Sequence, residues 1–239
     1  MIVDIDVGNS RMKWRAQKGG VTLGRGESFA FDSVVMAEID RLGSPARIRL
    51  SNVANDTMAR QVEAAAQHWD CALQRAETTE QLAGVVCGYD NPATMGVDRW
   101  LALLAAWKAY QGACVVVDAG SAVTVDLLDG SGLHRGGYIV PGLPLMREAL
   151  LGGTARVRVV DIAETDITPG RTTQQAVGHG SLLMLSALVA SAAAQLSESE
   201  SSIKIVVTGG DGGVLLPLIE GDVCYRQDLV LDGLAVMFP

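Results

Sequence analysis

Basic residues are scarce in this chain, and no run of them is long enough to track a phosphate backbone. With 19 Lys and Arg against 27 Asp and Glu the formal net charge is −8. That balance argues against nucleic acid or an anionic membrane as the main partner, while leaving room for a local site for a small anion. Cysteine is thin as well: Cys71, Cys87, Cys114 and Cys224 are widely scattered, without the CxxC or Cys/His spacing of a zinc site. They read as buried thiols in a reducing cytosol. The histidines, His68, His134 and His179, lack metal spacing and read as solvated or internally satisfied. Long apolar runs are missing too. The longest, Ser181 to Leu196, is diluted by Ala and Ser and runs into Ser197-Glu198-Ser199-Glu200, so it reads as a core helix and not a membrane span. No basic segment followed by an apolar one opens the chain, so no signal peptide is visible and the expected location is the cytoplasm.

What is present points to a globular α/β protein. At 239 residues, 49% hydrophobic and 19% charged, the chain can bury a substantial core in one large domain or two small ones. It opens with β-branched Ile2, Val3, Ile5 and Val7, turns at Asp6-Val7-Gly8-Asn9-Ser10, and resumes alternation at Met12, Trp14 and Ala16: a hairpin with an acid and a glycine at its tip. Near the middle "VVVDAGSAVTVDLL" repeats that logic, with Asp118 matching Asp6, Gly120 matching Gly8 and Ser121 matching Asn9. Two such turns, each opening a β-rich half, suggest a duplicated domain, 1–112 and 113–239. Further strands are expected at Val21–Phe29, Arg47–Val53, Leu133–Val140, Val157–Ile162 and Ile203–Val207. Helices are expected at Ser33–Leu42, Asp56–Trp69, Asp98–Tyr110, Thr172–Gln195 (interrupted near Gly178-His179-Gly180), Val214–Ile219 and Leu231–Met237.

Glycine turns after strands let backbone N–H groups approach phosphate oxygens, since no Cβ intervenes. Gly8, Asn9 and Ser10 would do so in one half, Gly120, Ser121 and Ala122 in the other, and Lys13 would add a point charge. An acid beside each turn repels a bare anion. It makes sense where a cation sits between carboxylate and phosphate, as in magnesium-assisted phosphoryl transfer.

The two Asp-x-Gly turns with Thr208-Gly209-Gly210 resemble the phosphate and adenosine motifs of the acetate and sugar kinase and actin superfamily. More closely, "DVGNSRMK", "GVDRW", "DAGSAVT", "GGYIVPG" and "VVTGGDG", in this order over nearly the whole chain, resemble the type III pantothenate kinases. The resemblance implies a duplicated ribonuclease-H-like (actin-like ATPase) fold, two similar domains with a nucleotide cleft between them. It also implies transfer of the ATP γ-phosphoryl group to pantothenate, a homodimer, magnesium, and a monovalent cation such as potassium or ammonium.

Carried over residue by residue, it implies that Asp6, Val7, Gly8, Asn9, Ser10, Arg11, Met12 and Lys13 hold the ATP phosphates, with Asp6 on the magnesium side. Gly96, Val97, Asp98 and Arg99 match the substrate motif, Asp98 being the catalytic base and Arg99 a partner for the pantothenate carboxylate. Tyr89 and Thr173 match pantothenate-binding positions, Asp118 the monovalent-cation position, and Ser121, Gly209 and Gly210 the nucleotide side. Ser10 and Ser121 stand where threonine is common, both keeping a hydroxyl, and Thr172 stands where asparagine is frequent. From spacing alone Asp98 reads equally as a helix N-terminal acid, Arg99 as a surface arginine, Tyr89 as a loop aromatic and Thr173 as a helix cap. Trp100 and Trp107 read as core, and Gly136-Gly137 with Pro141-Gly142 as a demanding loop that would shape a cleft. Two rival functions fit the same motifs: a superfamily kinase for a sugar or other small alcohol, and a non-catalytic regulatory relative.

Overall fold

Ile2–Val7 forms the first strand, β1, and pairs antiparallel with β2 (Met12–Lys18), which pairs with β3 (Val21–Ser28). Helix α1 (Ser33–Leu42) follows, capped by Asp32, whose carboxylate accepts from the Val34 and Val35 amides at 3.0 and 3.2 Å. Strand β4 (Arg47–Asn52) returns parallel to β1, and after α2 (Asp56–His68) the strand β5 (Ala72–Arg75) adds parallel to β4. The sheet order is β3-β2-β1-β4-β5. A small hairpin, β6 (Gln81–Leu82) with β7 (Val85–Val86), precedes α3 (Val97–Tyr110), buried from Val97 to Ala106 except at half-buried Asp98 and so apolar on nearly all sides.

The chain then repeats itself. Strands β8 (Cys114–Ala119), β9 (Ala122–Leu128) and β10 (His134–Pro141) form an antiparallel meander, followed by α4 (Leu143–Gly153) and α5 (Thr173–Ser197). Strand β11 (Lys204–Thr208) pairs parallel with β8, and after the short α6 (Gly212–Leu215) β12 (Asp222–Tyr225) pairs parallel with β11. The order β10-β9-β8-β11-β12 is that of the first sheet, strand for strand. A last helix, α7 (Leu229–Met237), ends the fold. This computed structural model describes residues 1–53, 56–153 and 165–239, with the backbone alone for 151–153.

Period-two alternation gives each sheet two unlike faces. In the first unit Val3, Ile5, Val7, Met12, Trp14, Ala16, Ile48 and Leu50 join Val35, Ile39 and Val62 of α1 and α2 in one core. The opposite face carries Asp4, Asp6, Lys13, Arg15, Arg49 and Ser51, and α7 lies against β1 and β4. In the second unit Val115, Val117, Val123, Val125, Ile205 and Val207 pack on Leu182, Leu185, Val189 and Ala192 of α5. Helix α5 is long and apolar enough to cross a membrane by length and composition, yet these side chains make it the core helix of that unit.

The contacts group Met1–Lys108 with Asp228–Pro239, and Ala109–Gln227 apart. Against the expected division at 112/113, α7 thus returns to the first unit, because its polar residues meet the charged sheet face there. Four strands were not expected from the sequence: β5 and β12, both four-residue edge strands, and the two-residue β6 and β7 of the small hairpin. Helix α5 runs unbroken through Gly178-His179-Gly180, where an interruption was expected. Gly178 and His179 are buried, and His179 Nδ1 meets the Thr168 carbonyl at 2.7 Å, so tertiary contacts override the local glycine penalty. The helix expected over Val214–Ile219 begins earlier, as α6, and tightens to a 3₁₀ turn at Leu216–Leu218. The strand expected at Val157–Ile162 lies outside the described residues. All four cysteines are free, and burial pushes the Cys114 thiol up to about 12, keeping it a protonated apolar filler.

Candidate active site

The two Asp-x-Gly turns occupy equivalent places. β1 and β8 are six-residue strands with the aspartate fifth and the glycine directly after the strand. Asp6 and Asp118 lie on the sheet face away from the α1/α2 and α5 cores respectively. Asp6 stands in register with Lys13 on β2 and Ser51 on β4; Asp118 stands in register with Thr124 on β9 and Thr208 on β11. The Gly8 amide donates to the Arg11 carbonyl at 3.0 Å, and the Gly120 amide to the Ala122 carbonyl at 3.1 Å. The first turn is the wider one, leaving Asn9, Ser10 and Arg11 exposed.

Within the first turn the side chains divide. Val7 and Met12 are fully buried in the core, so their side chains do not line a binding surface. Arg11 and Lys13 both face Glu27 of β3, with nitrogen–oxygen distances of 3.4 and 3.9 Å, and the Arg11 guanidinium lies 5.6 Å from the Phe29 ring centre. Such solvent-exposed pairs are weak, and a polyanion can displace them.

The second turn is built by backbone packing. Gly209 ends β11 at φ +88°, and a Cβ there would stand 2.4 Å from the Ala119 carbonyl and 2.5 Å from Asp118 Oδ1. A Cβ on Gly142 would stand 2.3 Å from the Gly120 carbonyl and 2.6 Å from that of Ser121. Glycine is therefore required at both positions, and the Pro141-Gly142 step presses on the turn. Tyr225 donates to the Gly209 carbonyl at 3.0 Å, fixing the loop from the other side. Thr173 is exposed in the first turn of α5, where the capping bond comes instead from Thr172, its hydroxyl accepting from the Gln175 amide at 3.2 Å.

A third cluster gathers at the start of α3. The Gly96 carbonyl accepts the Trp100 amide at 3.1 Å, which makes Asp98 a first-turn residue where helix dipoles favour negative charge. Asp98 Oδ1 accepts the Arg99 amide at 2.8 Å, and a Cβ on Gly96 would lie 2.6 Å from that oxygen. Arg99 is no surface arginine: it is 6% exposed. Its Nη1 donates to the Tyr89 hydroxyl at 2.6 Å, and its guanidinium lies 5.4 Å from the ring centre. Tyr89, Asp98 and Arg99, read separately from two motifs, thus form one group that offers an acid, a cation and a phenol side by side.

Among the described residues no set of three or more His, Cys, Asp or Glu side chains is arranged to hold a metal ion. A single carboxylate such as Asp6 suits magnesium that draws its other ligands from phosphates and water. Sequence reasoning passed over Asp4, Arg15, Arg49 and Asp232. Asp4 is fully buried and accepts from Arg15 Nε and Nη2, Gln17 Nε2 and Arg49 Nε at 3.2, 3.0, 2.7 and 2.6 Å. The signal was there in the alternation, since Asp4 shares a face with Asp6, and Arg15 with Lys13.

Two like-ordered sheets, each with an acidic glycine turn at the end of its first strand, define an actin-like ATPase fold of the sugar kinase type. Solved structures agree: a 2-dehydro-3-deoxygalactonokinase from Sinorhizobium meliloti matches with a TM-score of 0.58 at 14% identity, covering 100% of both chains. A Baf-family transcriptional activator from Campylobacter jejuni matches with a TM-score of 0.62 at 21% identity, over 98% of this chain and 95% of that one. At these identities they speak for the fold alone. The model of the family "Type III pantothenate kinase" matches residues 2–195. Type III pantothenate kinases of Azotobacter vinelandii and Pseudomonas aeruginosa are 37% and 36% identical, each over 100% of this chain and 99% of theirs. The chain belongs to the type III pantothenate kinase family.

Proposed function

We infer that the α3 cluster is the acceptor end of the family's reaction and the Asp6–Lys13 turn its donor end. The protein is an ATP-dependent kinase that transfers the γ-phosphoryl group to the 4′-hydroxyl of pantothenate, the first step of coenzyme A biosynthesis. The observation that carries the site assignment is the joining of Asp98, buried Arg99 and Tyr89 at one helix start.

In this reading the Asp98 carboxylate accepts the hydroxyl proton as the oxygen–phosphorus bond forms and the bond from the γ-phosphorus to its bridging oxygen breaks, leaving ADP. Arg99 pairs with the pantothenate carboxylate, held in place by Tyr89. Gly96 and Val97 shape the approach through their backbone, since Val97 is 8% exposed, and Thr173 offers a hydroxyl to the substrate. Asn9 and Ser10 offer amides and a hydroxyl to the ATP phosphates, Gly8 shapes the turn through its own amide bond to the Arg11 carbonyl, and Arg11 and Lys13 exchange Glu27 for the phosphates. Asp6 would hold magnesium, which when bound neutralises phosphate oxygens. Ser121, Gly209 and Gly210 serve the nucleotide, and Asp118 a monovalent cation. Exposed Ile139 of β10, Leu145 of α4 and Leu183 and Met184 of α5 support a homodimer formed through the second unit. The four free thiols suit the cytoplasm. The sugar-kinase and regulatory alternatives have support from the fold alone.

The test supplies purified protein with ATP, magnesium and pantothenate, with and without potassium or ammonium, and separates the products. Phosphopantothenate should form, faster with the monovalent cation; no product under any cation would sink the reading. The second-turn assignment makes its own prediction. Gly209→Ala, strained at φ +88° and blocked by the Ala119 carbonyl, should lose about 1–3 kcal/mol of stability. It should also raise the KM for ATP by about tenfold or more, read from nucleotide titrations of the folded variant. An unchanged KM would remove Gly209 from the nucleotide site.

A further inference from the structure

Two adjacent residues of α7 reach two different elements of the first unit. Asp232 Oδ1 accepts from Arg15 Nη1 at 2.6 Å, and Arg15 stands on β2 two residues from Lys13. Gly233 meets α3 so closely that a Cβ would stand 2.2 Å from the Leu101 carbonyl oxygen and 2.5 Å from its carbon. Leu101 is three residues past Asp98, just under one helical turn. Three further contacts hold the same segment to the sheet. Arg25 reaches Asp228 at 3.3 Å, Arg49 donates to the Phe238 carbonyl at 2.7 Å, and Arg47 to that of Pro239 at 2.9 Å.

We propose that α7 is a brace, with Asp232 and Gly233 as positioning residues that fix the Asp6–Lys13 turn relative to Asp98. The inference rests on the donor and acceptor roles assigned above. Phosphoryl transfer has little covalent work for the protein and depends on alignment, so a misplacement of about 1 Å costs on the order of 10²-fold. Strands β1 and β2 and helix α3 are rigid elements, and apolar packing between rigid elements permits sliding. A charge-assisted hydrogen bond is directional, and a backbone contact through glycine leaves no side chain to rearrange. Placed on neighbouring residues of one helix, the two contacts tie the β2 ladder to the α3 backbone through a single rigid body.

The test uses the full chain carrying Asp232→Asn or Gly233→Ala, measured for thermal midpoint, steady-state kinetics and ADP formed per phosphopantothenate. Expected are a kcat lower by about 10–100-fold, with KM for ATP and pantothenate moving far less. The ADP ratio should rise above the wild-type value, as phosphoryl groups pass to water when the acceptor is out of line. A merely structural role would lower the midpoint and leave kcat per folded molecule and the ratio unmoved, which overturns the brace. The two variants act on different contacts, so if one does not fold the other decides; if neither folds, Arg25→Gln, which loosens the exposed Asp228 pair alone, decides by the same ratio. Lys13→Ala and Asp98→Asn separate the two levels. If both keep wild-type kinetics the site assignment fails, whereas if both collapse and the α7 variants do not, the brace alone fails.

Discussion

Asp98→Asn should lower kcat by about 10²–10⁴-fold, the range that a positioned proton acceptor supplies. The asparagine keeps the size of the side chain and can still accept the Arg99 amide bond seen at 2.8 Å, so the α3 start is preserved. What it loses is the capacity to take the proton of the attacking hydroxyl. KM for ATP should move little, because the donor turn at Asp6–Lys13 is built by β1 and β2 and not by α3. KM for pantothenate should also stay close, since buried Arg99 and its 2.6 Å bond to Tyr89 are untouched. Product formation by chromatography, compared at saturating pantothenate, reads the effect. A kcat within tenfold of wild type would reduce Asp98 to a helix-start acid, the reading its spacing equally allowed.

Why one part of this protein was legible in its sequence and another was not follows from range. The hairpin logic around Asp6 and Asp118 is local: β-branched alternation, an acid, then a glycine, all within about ten residues of each other. It carried the duplication, and the identical strand orders agree with it. Tyr89 and Arg99 were legible as members of separate motifs, but their contact depended on the path of the chain between them, and spacing could not tell a buried arginine from a surface one. Strands β5 and β12 escaped because "ALQR" and "DVCY" have almost no alternation of their own. Their neighbours β4 and β11 impose the ladder on them. The Arg15–Asp232 bond spans 217 positions, and no pattern in the chain announces it. That bond also explains the return of α7 to the first unit: three acids and two arginines on the polar face complete one another across the whole length of the protein.

The same cluster sets the largest expected change in stability. Asp4→Asn removes a charge at a fully buried site without opening a cavity, so its effect is electrostatic. Two guanidiniums, on Arg15 and Arg49 at 7% and 3% exposure, lose the carboxylate they share, and the new amide must turn an N–H toward one of them. Arg15 keeps Asp232, whereas Arg49 keeps a neutral carbonyl, that of Phe238, so one buried positive charge is left without a counter-ion. Removing one partner of a buried pair costs about 3–5 kcal/mol. At about 2–4 °C per kcal/mol for a chain of this size, the thermal midpoint should fall by roughly 6–20 °C. Two controls separate burial from mere charge. The loss should persist in roughly 1 M salt, where a surface pair such as Arg11–Glu27 is screened to nothing. And because desolvating ions is itself unfavourable, replacing Asp4, Arg15 and Arg49 together by Leu, Met and Met should recover much of what the single change loses. A triple variant no more stable than Asp4→Asn would mean that shape, and not uncompensated charge, is what this face of the sheet requires.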